Sequence, residues 1–422
     1  MRHRAGMAVI FAAAAFAFAP AVAEAARFCV QKPKCAKAGG TAQPTIQSAL
    51  NAALANGPGR DRVELGPHTF TDGPFFAAAG NPVIVVGRGI GKTALTRIPT
   101  TSGVTILRLD DPASRIADLR VRINDGSTVE GLRTRGVAER VQVAGQSSDV
   151  GQTGVRLDEG GRLVRGRITL PPATGSYGVN LNGPGTVARA SSVRANTGVI
   201  ASSSTTGQPA RAIRVRVIAR ETGINAIGGD VVVDQATVRM LGSANERGLF
   251  LFPLNGGNLT ARHVTVVGGG GANGIGAGAT LLALIGPCST ATLTLRNSIL
   301  RGFSTDIERT VSGGGCSPGT PEANVDVAWS VYSPAKVVQS GDGELRRGKG
   351  NRNVNPRFRN QAKGDYRLRR RSPVIDRGQK GKPTAGESKV DLAGRKRVLD
   401  GDGNGKARRD VGAFERKRKR RR

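Results

Sequence analysis

The chain repeats one phrase, a glycine followed by an aliphatic residue, as Gly154-Val155, Gly178-Val179, Gly198-Val199, Gly223-Ile224 and Gly248-Leu249. The returns are about 20 to 26 residues apart, a period typical of solenoids. A second alternating stretch follows the returns, for example Val215-Arg216-Val217. One period therefore has room for two or three short strands and no helix of normal length. Because so short a coil cannot bury its own apolar face, stacked coils are required, and the pattern predicts an all-β, parallel β-helix.

The composition agrees with one long, thin core. The chain has 422 residues, of which 60 are glycine and 4% are aromatic, as expected of a fold made mostly of turns.

Before the first strands, Ile46, Leu50 and Leu54 lie at helical spacing between Pro44 and Gly57. This spacing predicts a short amphipathic helix that caps the open end of the first coil.

Residues 1–25 have the pattern of an export signal. Arg2 and Arg4 precede an apolar run over residues 7–18, and Ala23-Glu24-Ala25 supplies a cleavage pattern. The run is too short for a stable membrane span, and no later stretch is long and apolar enough. The sequence therefore predicts a mature chain without a membrane span that is secreted, extracellular or held at the cell surface.

Four cysteines, Cys29, Cys35, Cys288 and Cys316, allow three disulfide pairings. In an oxidising compartment, Cys29 with Cys35 and Cys288 with Cys316 are favoured because each pair closes a short loop. A zinc site is the alternative, but the spacings contain no C-x-x-C pair.

Several segments resemble known bacterial proteins. Residues 44–50 and 86–95 resemble the first coils of right-handed parallel β-helix proteins of the pectate-lyase-like superfamily. Residues 355–358, 364–368, 372–378, 391–395 and 410–415 resemble the choice-of-anchor Q domain, although Asn355 stands where such domains usually have Asp. The resemblance implies a right-handed β-helix with a small C-terminal β appendage, at the cell surface or secreted; it does not imply catalysis.

The predicted organisation has four parts: a signal peptide (1–25), the β-helix (26–344), a choice-of-anchor Q-like region (345–415) and a disordered polybasic tail (416–422). The boundary near residue 345 rests on a change in composition, because the alternation of apolar residues fades there.

The net charge of +32 indicates acidic partners. With Val215 and Val217 pointing inward, basic residues in the outward phase recur at the coil spacing. Stacked on one face, they would bind a linear polyanion and release its counterions. The members of this predicted ladder are Arg122, Arg140, Arg167, Arg194, Arg216, Arg239, His263 and Arg296.

A Gly-rich loop near the C-terminus places oxygen ligands at alternate positions. Asp400, Asp402 and Asn404 follow the start of a calcium-loop pattern, and Asp410 is expected to complete the shell. Calcium is therefore the one cofactor that the sequence suggests.

Catalytic residues are not assigned. A glycoside hydrolase needs two carboxyl groups across the scissile bond, and the positions expected to align with Asp158 are Asn182, Ser202, Ile227 and Phe252. The sequence favours a non-catalytic monomer that binds acidic polysaccharide or cell-wall polymer. A lyase or hydrolase of uronic-acid polymers is the first alternative. Extracellular nucleic-acid binding is the second, disfavoured because few aromatic residues are present to stack on bases.

Overall fold

The computed structural model describes residues 25–57, 59–96, 103–124, 129–146, 151–203, 207–253, 256–282, 287–313 and 315–417. Residues 1–24 of the predicted signal peptide and residues 418–422 of the basic tail lie outside these ranges. In the described residues the chain winds into parallel ladders on three faces around one apolar core. The right-handed parallel β-helix predicted from the sequence is confirmed.

Face A contains the first and the last strands of the solenoid. Two long strands connect faces: Ser192–Ser202 runs from face B into face C, and Arg216–Asp234 passes through faces B, C and A. The other strands of face A are Arg27–Val30 with Thr41–Gln43 beside it, Asp61–Leu65, Val83–Val86, Arg115–Ala117, Val137–Glu139, Arg162–Val164, Val187–Arg189, Ala210–Ile213, Gly257–Arg262, Thr290–Arg296, Glu322–Ala328 and Leu345–Arg347.

Faces B and C complete each coil. The other strands of face B are Thr69–Phe70, Ala94–Leu95, Arg120–Ile123, Gln142–Gly145, Arg167–Thr169, Thr237–Met240, Thr265–Val267 and Ile299–Arg301. Those of face C are Phe75–Ala77, Thr105–Leu109, Glu130–Thr134, Thr153–Asp158, Tyr177–Asn182, Arg247–Leu251, Ile275–Leu282, Thr305–Ser312 and Val337–Ser340.

The Gly-aliphatic phrase marks the start of face C. Its aliphatic residues stack in register and are buried, as in Val179, Val199 and Ile224. The glycines are required by close packing: a Cβ on Gly198 would lie 2.6 Å from the Gly223 carbonyl oxygen and would overlap the side chain of Val217. The glycine of the sequence repeat is therefore required by the close packing of successive coils.

The corner between faces A and B has its own signature. Nine consecutive coils place a non-glycine residue there in the left-handed region, with φ between 50° and 57°. Such a conformation is costly for an ordinary residue, and its recurrence shows that stacking imposes it. This corner column contains Asp118, Arg140, Arg165, Ala190, Arg214, Gln235, His263, Asn297 and Trp329.

Both ends of the solenoid are covered. At the N-terminal end, helix α1 (Pro33–Lys37) precedes α2 (Ile46–Ala55), whose residues Ile46, Leu50 and Ala53 are buried on the first coils. The predicted capping helix is therefore present. At the other end, the buried Arg309 takes an inward position, and its guanidinium donates to the carbonyl oxygens of Gly341 and Asp342 at 3.0 and 2.8 Å.

A 3₁₀ turn at Pro334–Lys336 precedes the last strand of face C. Arg352 still pairs in parallel with Val331 on face B, and the residues after it, up to residue 417, turn back over face B. This C-terminal segment contains an antiparallel pair, Phe358–Asn360 with Asp365–Leu368, and packs its own apolar cluster on Val267, Ile299 and Val331.

Two disulfides close short loops, Cys29 with Cys35 and Cys288 with Cys316. In the described ranges, no helix combines the length and the hydropathy needed to cross a membrane.

Candidate functional site: a basic cleft between face B and the C-terminal segment

The register of face B separates the predicted ladder into different columns. One outward column contains Arg167 and Arg216, and a second contains Arg122, Arg194 and Arg239. Arg140 and His263 belong to the corner column, and Arg296 ends a strand of face A. The expected single stack is thus not formed, because coil lengths differ and the left-handed corner residue changes the phase between faces.

Four of the eight predicted residues are already engaged. Arg140 forms a two-pronged ion pair with Asp118, at 2.6 and 2.7 Å. Arg296 donates to the carbonyl oxygens of Leu295 and Asp326, and Arg239 donates to that of Ala362. These three therefore help to hold the structure together.

The fourth, His263, is completely buried against Glu387 of the C-terminal segment. Burial, together with the positive charge of nearby Arg397, lowers the pKa of His263 to about 3, although the bond to Glu387 acts in the opposite direction. The ring is neutral at physiological pH, so it offers no charge to a polyanion.

Of the other four predicted residues, Arg167 and Arg216 line a cleft, whereas Arg122 and Arg194 are not part of its lining. The sequence pattern did not indicate the other basic residues of this cleft. Arg165 and Arg167 lie on one coil, and Arg214 and Arg216 lie two coils further along. The coil between them places only Ala190 and other small residues at these positions. The two arginine pairs are therefore about 10 Å apart along the axis and flank a cavity of about 310 Å³.

The C-terminal segment supplies the other wall. A second cavity, of about 350 Å³, shares Arg216 with the first and is lined by Lys363, Arg395, Phe414 and the Arg367–Asp365 ion pair. Leu392 of the same segment borders the first cavity. The two cavities form one cleft, here called the basic cleft.

Positive charge in the basic cleft is largely uncompensated. Seven arginine and lysine side chains line it with a single acid, Asp365, which is bound to Arg367 at 2.6 Å. Within the described part of the chain, five of the seven basic side chains have no hydrogen bond or ion pair. They are Arg165, Arg167, Arg214, Arg216 and Lys363.

Face C contains an in-register arginine ladder that the sequence reasoning missed. Arg108, Arg133 and Arg156 stack on successive coils. The clue was the repeated Arg-x-Asp spacing, because it places an acid two residues after Arg108 and again after Arg156. Asp158 belongs to another column of face C. It aligns with Asn182 and Ser202 as expected, but the next residue in that column is Gly228 and not Ile227.

The face C ladder is electrically balanced. Arg108 pairs with Asp110, and Asp158 accepts from Arg133 at 2.6 Å and Arg156 at 3.0 Å. Glu130 lies 3.4 Å from Arg156, so three carboxylates face the three arginines. Burial raises the pKa of Asp158, but hydrogen bonds from Arg133, Asn182 and Arg156 outweigh this effect and keep its pKa below the usual value. This surface therefore lacks the free positive charge that a polyanion site needs.

An acidic cluster near the C-terminus could hold a metal ion. It consists of Asp376, Asp400 and Asp402, with potential ligand atoms within 4.8 Å of one another. Asp376 was not foreseen, and the predicted ligand Asp410 is not a member of this cluster. The predicted ligand Asn404 lies beside it, and its side-chain amide donates to the Asp402 carboxylate at 3.0 Å. Asp410 is instead buried, where its carboxylate accepts the backbone N–H groups of Asp376 and Arg416.

The acidic cluster fits a hard cation only in part. Its oxygens are the right ligand type for calcium. The carboxylate of Asp376, however, already accepts the N–H groups of Gly401 and Asp402, and Asp400 accepts that of Gly403. Burial, together with the nearby Asp402 charge, raises the pKa of Asp376 despite these bonds.

Comparison with known proteins gives two weak structural likenesses. Two solved structures are similar, both A-modules of mannuronan C-5 epimerases from Azotobacter vinelandii. The AlgE4 module is 13% identical, covers 74% of this chain and 94% of its own, and gives a TM-score of 0.42. The AlgE6 module is 13% identical, covers 74% of this chain and 95% of its own, and gives a TM-score of 0.29. Likenesses this weak do not assign a site or an activity of these modules to this chain. No family model and no curated protein match the chain.

Proposed function

We propose that this chain is a secreted or cell-surface β-helix protein that binds an acidic polysaccharide or cell-wall polymer in the basic cleft, without chemical conversion of the polymer. The observation behind this proposal is the cleft itself, in which seven basic side chains face one already paired acid. A polyanion in the cleft would relieve the repulsion between the basic side chains that line it and release counterions.

The proposed location is supported by the two disulfides, which are typical of oxidising compartments.

The proposed organisation keeps the predicted parts: signal peptide 1–25, β-helix 26–344, choice-of-anchor Q-like region 345–415 and tail 416–422. Leu345 begins the last strand of face A, so the proposed boundary lies just before that strand.

Binding is tested by retention on immobilised polygalacturonate. The test protein ends at Lys417, so that the terminal run of basic residues cannot contribute. We expect retention at low ionic strength and elution at moderate salt. Elution in the void volume would contradict the proposal.

Product formation distinguishes the first alternative, a lyase or hydrolase, from the proposed non-catalytic binding. Incubation with polygalacturonate, followed by ultraviolet absorbance for unsaturated ends and by a reducing-end assay, should show no product above the buffer control. Product that disappears in an Arg216→Ala variant would make the protein an enzyme and overturn the non-catalytic assignment.

A further inference from the structure

Face B changes from exposed to covered at the basic cleft. In its first outward column, Arg167, Ser192 and Arg216 are exposed. The next two residues in the same column, Thr237 and Thr265, are buried. The step occurs within one coil, so the cleft lies where an accessible face ends.

The cover is the C-terminal segment, and it is firmly packed. The N–H of Ala413 donates to the Thr265 hydroxyl at 3.0 Å, and Gly412 lies so close to Thr265 and Ile299 that a Cβ there would overlap them. Arg239 anchors the same wall through the Ala362 carbonyl oxygen at 2.9 Å. The segment is therefore a fixed barrier across face B.

The barrier presents recognition chemistry toward the cleft. Lys363 and Arg395 offer positive charge, Asp365 offers a carboxylate that can accept from a hydroxyl group, and Phe414 offers an aromatic ring. On the other side, the arginines of face B continue away from the barrier to Arg194 and to Arg122. A linear chain along the axis would thus have basic residues beneath it and the barrier at one end.

We propose that the basic cleft binds the end of an acidic polysaccharide chain, with the terminal sugar against the barrier and the following sugars along face B toward Arg122. This inference rests on the proposed function and specifies the part of the polymer that is bound. A groove that is open at both ends would bind chain interiors, whereas a groove closed at one end selects chain termini.

Stoichiometry gives the first test. Short and long oligogalacturonates of defined length are titrated into the protein, and the protein bound per chain is measured by analytical ultracentrifugation. End recognition predicts one protein per chain at both lengths. A number that rises in proportion to chain length would overturn it while leaving polyanion binding intact. If neither length binds, the proposed function itself fails.

Two matched variants give the second test. Lys363→Gln changes the barrier, and Arg122→Gln changes face B four coils away from Arg216. We expect Lys363→Gln to weaken the Kd for short and long chains by the same factor, and Arg122→Gln to weaken it only for long chains. Equal effects of Arg122→Gln on both lengths would show that short chains bind anywhere along the face and would contradict end recognition.

Capped chains give the third test. A bulky group is attached to the reducing end in one preparation and to the non-reducing end in another. We expect one of the two caps to abolish binding and the other to leave it unchanged, since only one end meets the barrier. Full binding of both capped chains would refute the inference.

Discussion

At the scale of single residues, the glycine that starts each face C strand is set by the neighbouring coil. The position of Gly198 leaves no room for a methyl group between the Gly223 carbonyl oxygen and Val217. At Gly228, by contrast, a Cβ would have no heavy atom within 4 Å. A methyl group at Gly198 would therefore meet the next coil, whereas a methyl group at Gly228 would point into open space.

We therefore predict that Gly198→Ala destabilises the protein, by about 2 kcal/mol, as overpacking of a close-packed interior typically does. Gly228→Ala serves as the matched control and should change the free energy of unfolding by less than about 0.5 kcal/mol. Chemical denaturation of the three proteins measures the difference. Equal stability of the two variants would show that the coils are not stacked as described.

His263 gives a prediction about pH. Its pKa is about 3 in the folded protein because the ring is completely buried, whereas an exposed histidine has a pKa of about 6.5. As the pH falls from about 6.5 toward 3, the unfolded chain binds a proton that the folded chain excludes, so stability is lost in this window.

A His263→Gln variant should lose that contribution, because glutamine can still donate to Glu387 but does not titrate. The expected result is a shallower fall in unfolding free energy between pH 6.5 and pH 4 than in the unaltered protein, by up to about 1.4 kcal/mol per pH unit. Parallel curves for the two proteins would mean that His263 is not the buried neutral group described.

At the scale of structural elements, helix α2 is a cap whose own N-terminus is capped. The Thr45 hydroxyl accepts from the Ser48 N–H at 3.0 Å, and the Ser48 hydroxyl accepts from the Thr45 N–H. Both the helix and its covering role were predictable, because they depend on local spacing and on the open end of the first coil. The partners of the C-terminal segment were not predictable: Arg211 donates to the Gly386 carbonyl oxygen, 175 residues away along the chain.

The acidic loop of the C-terminal segment gives a prediction about calcium. If Asp376, Asp400 and Asp402 bind the ion together, calcium should raise the melting temperature, and Asp402→Asn should remove that increase. Asp72→Asn changes another exposed carboxylate and should leave the increase unchanged. Differential scanning fluorimetry with calcium and with chelator measures these shifts. An unaltered protein that melts at the same temperature in both would contradict a calcium site.

At the scale of the whole molecule, the sequence was sufficient for the architecture but not for the surface. Val215 and Val217 were correctly assigned to the core, since a strand alternates strictly. The outward residues could not be aligned over many coils, because corners and loops change the number of residues in each coil. Arg167 and Arg216 do share a column, yet their partners Lys363 and Arg395 come from the returning C-terminal segment.

The decisive measurement is the salt dependence of polygalacturonate binding by protein ending at Lys417. For the double variant Arg167→Gln/Arg216→Gln, we expect a Kd roughly thirtyfold weaker. The slope of log Kd against log salt should also fall by roughly one to two. Arg162→Gln, an exposed arginine on face A, should change neither. A double variant that binds with the same affinity and the same slope as the unaltered protein would contradict the basic cleft as the polyanion site.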